Sequence, residues 1–565
     1  MQMSNEAQAG SRYYDLGSYA RPITTTSPDA KIWFDRGLVW VYGFNMEEAQ
    51  RCFRRAIEAD PDCAMAYWGF AYARAPFYNK PWKYFSEADA REAIAECHDA
   101  LGHALSLMDR ATAAERALIA AACRRFPSPD YAPLDIRTTW EDDFAAAMRA
   151  ACRSHPEDLD VAAVAALALM TRTPWKLWEL KTARPTPGAD TLEAQAIIEA
   201  GLVAAERQGV RPHPGLAHAY IHCMEMSPTP EMALQAADSL RDYSRDCGHL
   251  HHMPCHIYAQ CGLFHDAVVA SEKAVAADAR YKVQPGSREF YILDRAHHLH
   301  LMVFAASMMG RYRTARESAE AIGRVITHGV LEAIENPFLA RAMEGFLMHR
   351  LHVLVRFGQW HEIAAEPVPD DPEFYPVTTA MTHYARGVAN AALGRRDAAE
   401  LERGRFHAAV DNVPTDRFFH QNFARDILAV GAAMLEGEVA YHKGEYDEAF
   451  VHLRRAVTLD DNLAYCEPWA WMHPPRHALG ALLLEQGHVE EAAAAYRADL
   501  GLDATLFRAK QNPSNIWSLT GYAECLDRMG RAGEAALFRK QLVVAAARAD
   551  MPVKASCCCR LSAYA

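Results

Sequence analysis

The stretch WFDRGLVWVYGFNMEEAQRCFRRAIEADP, residues 33–61, decides the fold. Its small residues Gly37, Ala49 and Ala56 and its large ones Trp33, Trp40 and Phe53 follow the order of a two-helix unit closed by Pro61. Small side chains let the helices of a unit approach closely, and large ones fill the space between units. The next unit opens at AMAYWGFAYA (64–73), where Trp68 starts its first helix. The same grammar returns with Gly437, Ala449, Leu453 and Ala456 in 437–461, and with Leu479, Gly480, Ala492 and Tyr496 in 476–500. NIWSLTGYAECL (515–526) opens another unit, and weaker copies occupy 254–278 and 383–400. Turns such as LGRRD, QGHVE and KGEYD place Gly394, Gly487 and Gly444 as left-handed helix stops. One helical pair cannot bury its apolar face alone, so stacked pairs must build the core. Strand signals are nearly absent. The pattern predicts an all-α solenoid of roughly ten helical hairpins, curved around a central cavity.

These residues resemble the tetratricopeptide repeat (TPR), whose pattern is W-x2-L-G-x2-Y, then A-x3-F-x2-A, then Pro. Across nearly the whole chain, strings such as HPGLAHAYIHCME (213–225), GHLHHMPCHIY (248–258) and EPWAWMHPPRHALGALLL (467–484) are similar to those of a group of long bacterial and fungal TPR-domain proteins. That group carries His-Glu-Glu after GFN, where this chain has Met46-Glu47-Glu48. The expected organisation is an extended arm over 1–28 with Ser27 at the first helix cap, and TPR-like repeats over 29–125. Central repeats with a His-rich groove follow over 126–330, then TPR-like repeats over 331–548 and a tail over 549–565. Pro-rich breaks interrupt the array, and one of them carries Trp175 and Trp178 as a loop to fold over the groove.

The 565 residues are 51% apolar and 23% charged, which fits a globular chain and excludes disorder. A net charge of −13 argues against nucleic acid or an anionic membrane as partner. No apolar run is long enough to span a bilayer, and the start MQMSNEAQAGSRYYD lacks the form of a signal peptide. A cytoplasmic location is the expectation. Fourteen cysteines lie scattered, without the spacing of a disulfide framework. The run Cys557-Cys558-Cys559 reads as a frayed end ahead of a metal-binding or redox tail.

The functional signal is histidine. His218 and His222 form an i,i+4 pair on one helical face with Glu225 close behind, and His252 and His256 repeat that pair 34 residues later. His297 and His300 follow. The TPR resemblance implies that positions 2, 5, 9 and 12 of each unit face the concave groove. His218, His222 and Glu225 then take positions 5, 9 and 12 of one unit, and His249, His252 and His256 take 2, 5 and 9 of the next. His297 and His300 take 2 and 5 of a third. Unprotonated imidazoles gathered together require a cation or a tight hydrogen-bond network. A transition-metal site on His218, His222, Glu225, His252, His256, His297 and His300 is the preferred reading, ahead of a metal-free polar site and of incidental clustering. The ligand types suit Fe, Cu or Zn, as one ion or two, and a 2-His-1-carboxylate set leaves positions open for O2 or substrate. Cys223 and Cys255 point away as packing residues.

Trp68, Tyr78, Asn79, Glu467, Trp471 and His477 are candidate substrate contacts, and Arg476 is a candidate bidentate carboxylate clamp; an inter-repeat salt bridge is the competing reading of that arginine. Glu225 is a candidate ligand or general base. No nucleophile elbow, Walker loop or HExxH is present. The expectation is a metal-dependent enzyme acting on a small molecule, oxidative slightly ahead of hydrolytic. The alternatives are a non-catalytic TPR scaffold for a peptide or protein partner, or a metal sensor or store.

Overall fold

A computed structural model describes residues 13–210, 212–282, 290–334 and 336–564, so the first twelve residues of the expected arm lie outside the description. The chain is an all-α, TPR-like solenoid. The heaviest helix packings join sequence neighbours, such as Pro28–Tyr42 with Met46–Ala59 and Ala424–Lys443 with Tyr446–Asp461. Next come contacts between alternate helices, such as Pro376–Ala392 with Ala424–Lys443, the stacking of one hairpin on the next. Strands among the described residues are two short pairs, Trp178–Glu179 with Arg184–Pro185 and Phe418–Phe419 with Asn422–Phe423. No described helix is long and apolar enough to cross a membrane.

The chain forms two compact units. The first comprises residues 1–179, 184–257 and 272–288, and the second 180–183, 258–271 and 289–565. Both obey one packing rule. In the first, Phe53 is wedged between Gly37 and Gly69, where an added Cβ would stand 2.8 and 2.4 Å from its ring. In the second, Tyr496 is wedged between Gly480 and Gly521, with corresponding distances of 2.5 and 2.3 Å. Contacts that short cannot be made by a Cβ, so the ring of each second helix requires glycine on both first helices beside it.

Local signals set the helix starts. Ser27 accepts from Ala30 N at 3.2 Å, and Thr112 with Glu115 closes a full capping box. Residues 13–27 run without regular structure along the first unit. There Arg21 donates to Asp158 and Asp160, each at 2.6 Å, and Thr24 bonds Glu115 at 2.7 Å. The tail departs from its expected frayed state. Ser556 Oγ donates to His477 O at 2.7 Å and meets Tyr496 Oη at 2.6 Å, and Cys557 and Cys559 are joined by a disulfide. Ala555, Ser556 and Cys559 are buried, and burial of this kind, which the short segment's sequence does not signal, holds the end down.

Candidate metal centre

The centre is built on helix Pro214–Met224 of the first unit. Its N-cap is His213, whose Nδ1 accepts from Leu216 N at 3.1 Å. The His213 proton therefore sits on Nε2, which faces Tyr19 Oη at 2.8 Å and Asp160 at 3.3 Å. Asp160 also accepts from Tyr42 Oη at 2.5 Å, Tyr19 Oη at 2.9 Å and Arg21. Burial by itself would raise the Asp160 carboxyl, but the His213 bond and the Arg21 charge outweigh it and hold the group well below the usual carboxylate range. Gly215 admits the Tyr42 ring where a Cβ would stand 2.4 Å from it. The arm and the first helix thus fix Tyr42, and its carbonyl takes the next residue of the site.

His218 Nδ1 donates to Tyr42 O at 2.5 Å. Its other nitrogen, Nε2, is buried with no hydrogen-bond partner among the described residues. Burial pushes this imidazole down to about 3, so it stays neutral with a lone pair on Nε2. One turn on, His222 Nδ1 pairs with Glu225 Oε1 at 2.8 Å, and His256 Nδ1 pairs with Glu225 Oε2 at 2.7 Å. His256 Nε2 meets His252 Nε2 at 2.8 Å. Glu225 therefore orients two imidazoles at once, one through each oxygen.

The third nitrogen of the centre comes from His249, at the start of helix Gly248–His252. One ring nitrogen from each of His218, His222 and His249 lies within 4.8 Å of the others, and all three residues are about 1% exposed. The Phe44 ring covers them, 4.2 Å from His218, 5.4 Å from His249 and 5.8 Å from His222 between ring centres. Phe44 holds φ at 53°, a left-handed conformation that a bulky residue adopts only where its surroundings compel it. Gly43 before it leaves room for Cys247, whose Sγ would lie 2.2 Å from an added Cβ.

Of the residues expected from sequence, the first unit brings together His218, His222, Glu225, His252 and His256. The sequence places His249 on the groove face but outside the expected ligand set, and its position 2 is the signal that points to it. Phe44 carried no signal, since a turn residue's inward ring is not visible in a local pattern. Tyr78 packs on His222 at 4.6 Å and accepts from Trp175 N at 3.0 Å, and Trp178 Nε1 donates to Cys223 O at 2.7 Å. Asn79 follows Tyr78, half-buried, and Trp68 is buried against Tyr72 at 5.2 Å. Cys223 and Cys255 are fully buried, and burial pushes the Cys223 thiol up to about 12, which fits their reading as packing residues.

The remaining candidates belong to the second unit. Arg476 forks onto Asp461 with two bonds of 2.5 Å, so the clamp expected for a substrate carboxylate is engaged within the protein. His477 joins Arg356 at 2.6 Å to Asp499 at 2.8 Å. Trp471 meets His352 edge-on at 4.7 Å, and Glu467 is buried. His297 and His300 lie on helix Phe290–Met308 of that unit, where their rings stand 6.1 and 5.4 Å from His420.

No curated protein matches the sequence. Among solved structures, a human IFIT1 dimer with m7Gppp-AAAA is 12% identical over 93% of this chain and 92% of that one, with a TM-score of 0.31. Naa15/Naa10 bound to HypK-THB is also 12% identical, over 91% and 70%, with a TM-score of 0.21. Overlaps this loose transfer no ligand or activity. The tetratricopeptide-repeat model matches residues 30–63, the segment around the Phe53 wedge. That segment matches a tetratricopeptide repeat, and it opens a chain of stacked helical pairs.

Proposed function

We propose that this chain is a TPR scaffold whose first unit holds a transition-metal ion on His218, His222 and His249. One observation carries the reading: three buried imidazoles offer nitrogens within 4.8 Å of one another. An ion with bonds of about 2.0–2.1 Å in tetrahedral geometry needs its nitrogens about 3.3–3.4 Å apart, a modest contraction. Tyr42 O on His218 and Glu225 on His222 each hold Nδ1, which leaves Nε2 for the metal and raises its basicity. Without an ion, the sealed His218 Nε2 costs about 1–3 kcal/mol as an unsatisfied polar atom. Imidazoles favour Zn, Cu or Fe over Mg or Ca. Burial under Phe44 suits an ion that stabilises the scaffold or is stored in it, while the repeats take a peptide or protein partner.

A metal-dependent enzyme acting on a small molecule is the second reading. Two observations favour it. Three protein nitrogens leave a tetrahedral ion one open position, and the line His222–Glu225–His256–His252 is a hydrogen-bonded path along which protons can pass. Three imidazoles with the carboxylate behind them favour activation of water over the oxygen chemistry of a 2-His-1-carboxylate set.

Elemental analysis of untagged protein tests the shared premise. At least one equivalent of a first-row transition metal is expected, and His218→Ala plus His249→Ala lowers the content by one equivalent with helical content retained. Protein that folds normally and binds none overturns both readings.

A further inference from the structure

The second unit carries a histidine row of its own. His300 comes from helix Phe290–Met308, and His349 and His352 from helix His349–Arg356. His420 sits at the turn between Phe418–Phe419 and Asn422–Phe423, and His473 in the loop before helix Pro475–Glu485. Neighbouring ring centres stand 5.4 Å apart for His420 and His300, 3.9 Å for His300 and His349, 6.1 Å for His349 and His352, and 5.0 Å for His352 and His473. The inner three are at most 1% exposed, and the two ends are half-buried.

A neutral imidazole carries one N–H donor and one lone pair. His349 uses its donor on Phe346 O, from Nδ1 at 2.6 Å, and its Nε2 lone pair faces no partner among the described residues. His300 Nε2 and His473 Nε2 are likewise unpartnered, as are both ring nitrogens of His352. Each such atom, sealed from water, carries the desolvation cost of an unmade hydrogen bond. The surroundings hold the rings in place. Phe346 and Phe419 wall His300 at 5.5 and 6.0 Å, and Gly345 admits Phe419 where a Cβ would stand 2.4 Å from its ring. His420 adopts a left-handed φ of 51°, and that strained turn lays its ring against His300 with 19° between planes.

We propose that this row is a second transition-metal site, with His300, His349 and His420 as ligands to a copper or zinc ion held by imidazole alone. His300 Nδ1 and His420 Nε2 share a 3.4 Å hydrogen bond, and an ion entering there would replace it at the span of two ligands about 2.0–2.1 Å from a tetrahedral centre. His349 Nε2, on the ring nearest His300, is the third nitrogen that binding draws in. The site does not rest on the first-unit centre.

The test uses the full chain carrying His218→Ala and His249→Ala, so that either site can fail without the other. Metal-free protein is titrated with Zn2+ and, separately, with Co2+ as a spectroscopic probe. One equivalent is expected to bind, with Co2+ absorption typical of tetrahedral nitrogen ligation and a Zn2+-dependent rise in melting temperature. His300→Ala plus His349→Ala weakens binding by more than about 100-fold. His420→Ala, at a half-buried turn, weakens it without opening a core cavity, which keeps the result readable if the double variant misfolds. No bound ion, or an ion held equally well by the His420→Ala protein, overturns the proposal.

Discussion

The two units bury imidazoles in different company. In the first, Glu225 touches two of them, and Asp160 anchors the Tyr42 that orients a third. In the second, the ionisable groups acting most on His300 are the imidazoles of His349, His420, His297 and His352. A carboxylate behind a histidine raises its basicity and offsets part of a bound cation's charge. A dication at the proposed first centre would gain that carboxylate, while one at the proposed row would meet neutral nitrogens alone. The same contrast holds for acids away from the rings. Asp160 is buried, ionised and multiply bonded, whereas Glu438 is buried with Oε2 unpartnered, and burial pushes it up to about 8.

The largest expected effect breaks the first unit's anchor. Asp160→Asn leaves Arg21 buried beside a weaker partner and costs about 3–5 kcal/mol, read by chemical denaturation. Because the folded carboxyl is depressed, the wild-type contribution is full above the ordinary 3.8 and fades as pH falls, so the gap between the proteins closes in acid. Next come the glycine wedges. Gly69→Ala and Gly480→Ala each force a Cβ onto an aromatic ring and cost about 1–3 kcal/mol, whereas Gly102→Ala meets nothing within 4 Å and stabilises its helix by about 1 kcal/mol. Equal losses at the two wedges would establish one packing rule for both units; a loss in one alone would break it.

Glu225→Gln sharpens the comparison directly. It weakens metal binding at the first centre by about 10–100-fold and leaves binding at the second-unit row unchanged, as isothermal titration would show. The last effect, read as a slope, concerns Glu438. Its folded form keeps a proton between the ordinary 4.5 and about 8, where the unfolded chain has released it. Stability therefore falls as pH rises through that window, by at most about 1.4 kcal/mol per pH unit. Glu438→Gln removes that slope, and thermal unfolding across pH 5 to 8, roughly the titrating window, measures it.

Much of the fold was legible because its rule is local. Gly37 and Phe53, or Gly480 and Tyr496, sit on the two helices of one hairpin, and their sizes announce the close approach. The i,i+4 pairs of His218 with His222 and His252 with His256 were legible for the same reason, since helical pitch alone puts them on one face. Their bonding was not. Glu225 read as a ligand or base, and the structure gives each of its oxygens to an imidazole, one of them 31 residues away. Arg476 read as a substrate clamp or an inter-repeat salt bridge, and the structure pairs it with Asp461 on the preceding helix.

Sequence by itself determined the helical pairs, their stacking and the faces that carry histidine, because period and side-chain size act over a few turns of chain. Only tertiary structure decided which imidazoles meet. His218 is oriented by a carbonyl 176 residues away and His300 faces a ring 120 residues away, on a turn with a left-handed residue that no repeat pattern announces. Such encounters depend on how successive hairpins rotate as they stack. Small rotations summed over many units are set by the whole core, and no single motif contains them.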